Sequence, residues 1–375
     1  MSKPLPCTTL SNRQLNRALL ARQHLLERRH IPATEVIEQL VGMQSQAPNG
    51  PYIGLWSRIE DFETAELGDA MLARETVRMV TMRGTIHLLT ARDALSFWPV
   101  VQAMLKASFG NIATYAPNLE GLDLAEVIEA GRLALEAAPQ TGKQLGVILR
   151  ERWPDRDAAA LSHAVRNHLP LVQVTPRGVW GKSQQPTLNT IQAWLGRPIS
   201  ARREPDELIR RYLAGFGPAT VADIQAWSGL SGLRESVVRL RPGLAVYRDE
   251  RGRELFDIPD APLPDPETPA PVRFFPGFEN ALLAHADRTR IISDERRKAT
   301  WKVNGLVDPT FLLDGYVGGR WKAVRAKTEV AIDLFPFEPL ARSDRDDVES
   351  EATRLLDFFE PAAVTREIRF HEPGL

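Results

Sequence analysis

The sequence predicts an α+β protein: three small helical modules in series, each ending in a β-hairpin, followed by a small C-terminal β-barrel-like domain. Three observations lead to this prediction. The same order of helices and short paired strands recurs three times, a proline-rich stretch follows the third copy, and short apolar runs separated by Asp-Gly and Gly-Gly pairs come after it. The expected boundaries are residues 1–118, 119–200 and 201–258 for the modules, 259–272 for the linker and 273–375 for the C-terminal domain.

The first module begins at Ser11, a favourable N-cap residue that precedes leucines at helical spacing. Its later elements are expected to be helices over residues 33–41 and 66–73 and strands over residues 77–82 and 86–89, with a turn at Arg83-Gly84-Thr85. Thr90 would then cap the following helix.

The second and third modules repeat this order. In the second, we expect helices over residues 124–137, 144–153 and 158–167, then hairpin strands over residues 171–176 and 179–182 with a turn at Arg177-Gly178. In the third, Pro205 opens a helix, and we expect further helices over residues 221–227 and 233–240 and hairpin strands over residues 244–248 and 253–258.

The residues after the third module predict a different kind of structure. The prolines of residues 259–272 favour an extended tether. Short strands are expected near Phe311, Tyr316 and Trp321, because glycine-containing turn signals separate these apolar runs. Residues 343–359 have the spacing of a terminal amphipathic helix.

Helices followed by a hairpin form the winged-helix arrangement, in which one helix enters a DNA groove and the hairpin contacts the backbone. Each predicted hairpin has basic side chains at or near its turn: Arg83 in the first, Arg177 and Lys182 in the second, Arg251 and Arg253 in the third. We expect these residues to contact DNA phosphates. Basic hairpin tips also occur for solubility alone, and that alternative stays open.

Composition limits the other possibilities. The formal net charge of −1 gives no support for DNA binding by itself, so any DNA-binding surface must arise from local clustering of basic residues. The single cysteine, Cys7, excludes an internal disulfide and a cysteine-based zinc cluster. With no signal-like or membrane-spanning apolar run, a cytosolic location is expected.

No pattern in the sequence indicates a metal or a cofactor. Motifs for a nucleotide phosphate loop, a zinc protease or a serine nucleophile do not occur. His163 and His168 are five residues apart on a predicted helix, so they face different sides and a shared metal ion is not expected.

Gln44-Ser45-Gln46 is the candidate catalytic segment. Gly42 can end the preceding helix and Pro48 forces extended geometry on Ala47. In an extended segment Gln44 and Gln46 point to the same side, so their amides can hold one small polar group. Two exposed amides near a helix end are the alternative interpretation.

Six segments resemble the AlkZ/YcaQ-type crosslink-repair DNA glycosylases, in the right order and across nearly the whole chain. They are residues 40–46, 55–58, 82–89, 275–280, 283–290 and 310–316. The resemblance implies tandem winged helices with a C-terminal β-barrel and double-stranded, alkylated DNA as the partner.

The resemblance also implies that Gln44 and Gln46 hold the water that hydrolyses the N-glycosidic bond. An amide is a poor proton acceptor, so this chemistry suits a base that is already cationic, such as N7-alkylguanine or N3-alkyladenine. Ser45 departs from the aliphatic residue that often lies between the two glutamines, and a serine could re-aim one of them.

Further candidates for DNA contact lie in two of these segments. They are Arg83, Thr85 and His87 in the first hairpin and Arg288 and Arg290 near the C-terminal domain. His87 could equally be an interior histidine, and the two arginines could form ordinary ion pairs with nearby acids. A lyase step through Lys106 or another lysine stays open.

Two other functional classes remain compatible with the sequence. A non-enzymatic winged-helix regulator would bind undamaged DNA at a defined sequence. Modules that bind other proteins would agree with the near-zero net charge.

Overall fold

The structure is a computed structural model that describes residues 8–110, 115–303, 305–326, 329–360 and 365–374. Cys7 lies outside the described residues. In chain order, the helices are α1 Asn12–Arg22, α2 Ala33–Gln39, α3 Gly50–Trp56, α4 Thr64–Leu72, α5 Ala91–Gly110, α6 Ala116–Leu119, α7 Leu124–Ala137, α8 Gly142–Arg152, α9 Ala158–His168, α10 Ile191–Leu195, α11 Asp206–Phe216, α12 Val221–Ser228, α13 Arg234–Leu240, α14 Asn280–Leu283, α15 Asp294–Thr300 and α16 Arg342–Phe359.

The strands alternate with these helices throughout the chain, which makes the fold a mixed α+β fold. They are β1 Thr9–Leu10, β2 Met43–Gln44, β3 Thr76–Val80, β4 Ile86–Thr90, β5 Gln140–Thr141, β6 Leu171–Gln173, β7 Thr187–Thr190, β8 Ala245–Asp249, β9 Glu254–Asp257, β10 Arg273–Phe275, β11 Thr310–Leu313, β12 Tyr316–Ala326, β13 Glu329–Pro336 and β14 Thr365–Phe370.

Most predicted helices are confirmed, because their caps and apolar spacing are local signals. Ser11 caps α1 by accepting a hydrogen bond from the backbone N–H of Gln14 at 3.2 Å, and α7 spans the predicted residues. Thr90 accepts a hydrogen bond from the N–H of Asp93 at the start of α5, as expected. The sequence did not predict α3, whose proline and two glycines are poor helix formers. Its buried Tyr52, Leu55 and Trp56 show that packing stabilises it.

Strands from the first and second predicted modules share one six-stranded sheet of order β2-β4-β3-β6-β7-β5. The two modules meet where β3 pairs antiparallel with β6, with Met79 opposite Val172. The first predicted hairpin is confirmed as β3 and β4, with Val80 opposite Ile86. Separate hairpins in two modules thus form a continuous surface.

The predicted return strand of the second hairpin, residues 179–182, is wrong. β6 instead pairs with β7, and Leu171 lies opposite Thr190. The intervening turn is drawn inward, because the Tyr52 hydroxyl donates to the Gly178 carbonyl at 2.9 Å and accepts from the Trp180 N–H at 3.0 Å. Trp180, one of the apolar residues that suggested a strand, instead packs against Tyr52 of α3, with ring centroids 5.0 Å apart.

The third predicted hairpin is confirmed as β8 and β9, and the N-terminus adds a strand to it. β1 pairs parallel with β8, with Thr9 opposite Arg248. The resulting sheet has the order β1-β8-β9. Thr9 and Leu10 thus pack on the third module.

The proline-rich segment forms neither helix nor strand and has turns at residues 259–260 and 266–267, and it is tightly held. Three arginines of α1 donate hydrogen bonds to its backbone carbonyls: Arg22 to Pro262 at 3.1 Å, Arg13 to Pro266 at 2.8 Å and Arg17 to Thr268 at 2.7 Å. Its expected role as a tether therefore needs a correction: the segment is a strap fastened to α1.

The C-terminal strands form a sheet of order β10-β11-β12-β13-β14, with β14 parallel to β13. The runs at Tyr316 and Trp321, expected as two strands, belong to one long strand, β12. β10 and β14 lie at opposite edges of the described sheet, so closure into a barrel stays a prediction. Phe359 of α16 stacks near Trp321, with ring centroids 6.5 Å apart.

One apolar core runs from the first module through the third into the C-terminal domain, while α7, α8 and α9 surround a smaller core of their own. No helix within the described ranges is long and apolar enough to span a bilayer.

Candidate functional site

The Gln44-Ser45-Gln46 segment leaves α2 through a sharp turn. Val41 and Gly42 have φ values of 54° and 92°, and a Cβ added to Gly42 would lie 2.8 Å from Leu89 Cδ2. Glycine is therefore required at residue 42. The segment then runs beside β4, where Gln44 lies opposite His87 and the Ser45 N–H donates to the Ile86 carbonyl at 2.7 Å. The expected extended geometry is confirmed as far as Gln44, where β2 ends, whereas Gln46 lies at a bend.

Asn280, at the first position of α14, holds the free edge of β2. Its Oδ1 accepts a hydrogen bond from the Gln44 N–H at 3.0 Å, and its Nδ2 donates to the Gly42 carbonyl at 2.6 Å. One side-chain amide thus satisfies the two backbone groups that a neighbouring strand would otherwise satisfy. It fixes the backbone from which the Gln44 side chain projects.

A buried ion pair fixes Asn280 in turn. Glu279 accepts from the Ala281 N–H at 3.2 Å as the cap of α14, and it pairs with Arg58 at 2.6 Å. The side chains of Arg58 and Glu279 are 0% and 2% exposed, so neither charge is solvated and each depends on the other. Arg58 also donates to the Gly54 carbonyl at 2.7 Å.

Ser45 is buried, and its hydroxyl is engaged by Arg78 of β3. Arg78 donates from Nε to the Ser45 hydroxyl at 2.9 Å and from Nη2 to the Ser45 carbonyl at 2.7 Å. Burial, together with the positive charge of Arg177, lowers the pKa of Arg78 to about 10. Ser45 thus lies where an aliphatic residue was expected, and Arg78 forms a hydrogen bond with its hydroxyl.

The two glutamine amides lie at different depths. Gln44 is buried, and its Oε1 accepts from Arg83 Nη2 at 2.7 Å. Gln46 is exposed, and its Oε1 accepts from the Ile86 N–H at 3.3 Å. Both amides are therefore anchored on the β3–β4 hairpin, one by a side chain and one by backbone.

Arg83 has a positive φ of 56° at the turn of this hairpin. Its Nη1 donates to the Trp227 carbonyl in α12, while its Nη2 serves Gln44 and lies 3.4 Å from His87 Nε2. Burial and the positive charge of Arg288 lower the pKa of Arg83 to about 10. Arg83 therefore connects the candidate site to the third module.

His87 is 1% exposed. Its Nδ1 lies 3.0 Å from the Thr85 carbonyl and its Nε2 faces the Arg83 guanidinium. Burial, reinforced by the Arg83 charge, lowers the pKa of His87 to about 3. The ring is thus neutral at physiological pH: Nδ1–H donates to Thr85 and Nε2 accepts from Arg83.

The remaining predicted DNA-contact residues differ widely in exposure. Arg290 is buried and donates to the Pro218 carbonyl at 2.9 Å. Arg288 is half-buried, with its guanidinium 5.2 Å from the centroid of Trp301, and burial lowers its pKa. The Thr85 hydroxyl donates to the Met82 carbonyl at 3.2 Å. Of these, Arg288 lies near enough to Arg83 to influence its charge.

Among the basic residues of the second and third predicted hairpins, Arg177 lies close enough to Arg78 to lower its pKa. Arg177 donates to the Gln184 carbonyl at 2.6 Å, and Lys182 is exposed. Arg251 and Arg253 both pair with Asp287, at 3.2 Å and 2.8 Å. The third hairpin is therefore tied to the C-terminal part of the chain.

Sequence reasoning missed Asn280, Arg58, Glu279 and Arg78. Residues 275–280 and 55–58 were recognised as similar to a known family, yet nothing in their local pattern assigned them a role. Among the residues that the structure describes, no group of three or more His, Cys, Asp or Glu side chains is arranged to hold a metal ion.

Comparisons with known proteins agree with this architecture. A family model described as DNA glycosylase AlkZ-like matches residues 37–358. An interstrand DNA cross-link repair glycosylase from Streptomyces sahachiroi is 24% identical over 359 residues, which cover 90% of this chain and 93% of that protein. The solved structure of Streptomyces sahachiroi DNA glycosylase AlkZ matches with a TM-score of 0.77 at 20% identity, covering 97% of this chain and 100% of that one.

We expect Asn280→Ala to lower the free energy of unfolding by about 2–4 kcal/mol, because it leaves the buried Gln44 N–H and Gly42 carbonyl without partners. Urea unfolding measures the change. Asn49→Ala is the matched control: Asn49 is exposed and makes no cap hydrogen bond, so its loss should cost less than about 0.5 kcal/mol. Equal losses in both variants would contradict the role of Asn280.

His87 gives a pH prediction. Its pKa falls from 6.5 to about 3 on folding, so between these values the unfolded chain binds a proton that the folded chain does not. Stability is therefore full above pH 6.5 and decreases as the pH falls towards 3. Between pH 7 and pH 5, His87 contributes a loss of about 2 kcal/mol, which His87→Gln should remove. If the natural chain and the His87→Gln variant showed the same slope of unfolding free energy against pH, the prediction would be wrong.

Proposed function

Because the chain belongs to the AlkZ-like DNA glycosylase family, we propose that it hydrolyses the N-glycosidic bond of cationic alkylated purines in double-stranded DNA. Its substrates are N7-alkylguanine and N3-alkyladenine, including bases joined in interstrand crosslinks. The observation that carries the proposal is the pair of glutamines on β2, with the Gln44 amide anchored by Arg83 at 2.7 Å.

The two glutamines position the attacking water. A carbonyl oxygen has two lone pairs, and Arg83 occupies one on Gln44 Oε1, so the other can accept from a water molecule. Gln46, two residues further along the chain, supplies a second amide from an exposed position. Placement of the water against the sugar supplies the rate enhancement, because fixed geometry replaces a random encounter.

The local chemistry favours a base that is already cationic. The described hydrogen-bond partners of the two amides are Arg83 and the Ile86 N–H, neither of which is a carboxylate. His87 is neutral and its Nδ1–H is already donated to Thr85, so it is a poor acid for the leaving base. Water forms the new bond to C1′, the base departs as a neutral purine, and the water proton passes to solvent.

The finer architecture belongs to the same proposal. We take the three helix-and-hairpin units as winged helices with the boundaries given above, and the C-terminal sheet as barrel-like. The exposure of Lys182 and the partial exposure of Arg288 support phosphate contact by both, whereas the burial of His87 and Arg290 supports a structural role beneath the site. Arg251 and Arg253 would have to exchange Asp287 for phosphate.

The direct test is release of free N7-methylguanine from methylated duplex DNA. Gln44→Ala combined with Gln46→Ala should lower the single-turnover rate by roughly 100-fold or more, since water placement is lost while the fold remains. Gln192→Ala, which removes an exposed glutamine of α10, is the control and should keep the full rate. A natural chain that binds undamaged DNA tightly but releases no base, from methylated or mustard-treated duplex, would instead indicate a non-enzymatic DNA-binding protein.

Arg83→Lys tests how Gln44 is held. A lysine cannot donate to Trp227 and Gln44 in the planar arrangement of a guanidinium, so base release should fall by roughly 10- to 100-fold. Affinity for duplex DNA should stay within about twofold. If DNA affinity and its salt dependence fell instead while the rate at saturating DNA stayed constant, Arg83 would be a phosphate contact and not a positioning residue.

A further inference from the structure

A second polar site lies on the second module, at the far end of the six-stranded sheet from Gln44. It is a surface pocket of about 540 Å³ between α8 and α9, lined by Tyr115, Gly142, Lys143, Arg150, Ser162 and Arg166 among others. We call it the α8 pocket. The glycosylase mechanism uses none of these residues.

The pocket has cations without counterions. Lys143, Arg150 and Arg166 are exposed, and none of them has an ion-pair partner among the described side chains. In the same module, by contrast, Arg132 pairs with Glu129 and Arg152 pairs with Glu126. Asp157 also lines the pocket, but its carboxylate caps α9 by accepting from the Ala160 N–H at 2.8 Å. The pocket is therefore locally positive.

Two neutral features add donors to this charge. The N-terminus of α8, an eleven-residue helix, lies in the pocket at Gly142 and Lys143, where backbone N–H groups favour an anion. Ser162 is 3% exposed, lines the same pocket, and its hydroxyl has no hydrogen-bond partner in the described structure. A Cβ placed on Gly142 would lie at van der Waals distance, 3.5 Å, from both Ser162 Oγ and Arg166 Nη1, so both polar groups lie beside the first residue of α8.

The sheet connects this pocket to the candidate active site. β5, which leads directly into α8, is one edge of the order β2-β4-β3-β6-β7-β5, and Gln44 is on the other. Five steps of about 4.8 Å separate the two edges by about 24 Å. That is the length of about seven base-pair steps of 3.4 Å. Arg166 also borders a groove that contains Ile86, whose N–H binds Gln46.

We propose that the α8 pocket binds a phosphate of the DNA backbone about seven base pairs from the damaged base. This rests on the proposed function, since the distance is counted from a base held at Gln44. The contact anchors the duplex through charge and helix N–H groups without selecting a sequence. It lets the enzyme hold DNA at a point that a bulky adduct does not obstruct.

The test compares two duplex lengths, each with one central N7-methylguanine: arms of four base pairs, which end before the pocket, and arms of twelve, which pass it. Lys143→Glu is the variant, because an acidic residue in the first turn of a helix keeps α8 stable while repelling phosphate. Arg342→Glu, an exposed residue with the same charge reversal in the first turn of α16, is the control.

With the long duplex, Lys143→Glu should raise Kd by roughly five- to tenfold near 0.1 M salt and lower the slope of log Kd against log salt by about one. With the short duplex, it should bind like the natural chain. Arg342→Glu should match the natural chain on both. If Lys143→Glu binds the long duplex as well as the natural chain does, and the natural chain still releases the base, the phosphate contact is wrong but the proposed function stands.

The remaining outcomes separate the two proposals. No base release by the natural chain from either duplex overturns the proposed function, and with it the distance counted from Gln44. Titration with inorganic phosphate alone gives the third comparison. If Lys143→Glu abolishes binding of inorganic phosphate but leaves long-duplex binding unchanged, the pocket is a site for free phosphate and the DNA assignment is wrong.

Discussion

The candidate site depends on the Asn280 side chain, which takes the place of a strand along the open edge of β2. Gln44 and Asn280 are 236 residues apart, yet the amide of one holds the backbone of the other. The side chain of Gln44 is then oriented by Arg83, whose own guanidinium is fixed on the Trp227 carbonyl. Three distant segments must therefore be in place before the glutamine has a defined position.

Many of the hydrogen bonds that join distant segments come from arginine, because one guanidinium offers five donors in a fixed plane. Arg17, Arg58 and Arg78 are almost fully buried and bond to backbone carbonyls, hydroxyls or a single carboxylate. These residues count towards the formal charge of −1, although they present little charge to solvent. The total charge of the chain thus says little about the surface that meets DNA, and only the location of each cation is informative.

Sequence-based prediction succeeded here where the determining residues are close in sequence and failed where they are distant. Ser11 and the spacing of α7 are local signals, and both predictions are confirmed. The end of α2 at Gly42 and the extended backbone at Gln44 were likewise predictable, whereas the bend at Gln46 was not. The second hairpin was predicted wrongly because the inward pull of Tyr52 on residues 178–180 is a tertiary contact. The hydrogen bonds of Asn280 with the backbone of β2 and of Arg78 with Ser45 join distant residues, so local periodicity cannot predict them.

The fastening of α1 has a consequence for synthesis on the ribosome. Asn16 of α1 donates hydrogen bonds to the carbonyls of Arg290 and Gly315, and β1 pairs with Arg248 and Asp249. α1 and β1 therefore meet these polar partners only after residues 248–315 have been synthesised. The second module, with its own apolar core, can consolidate earlier. During synthesis, the core of α7, α8 and α9 should thus form before α1 docks on the segments that follow it.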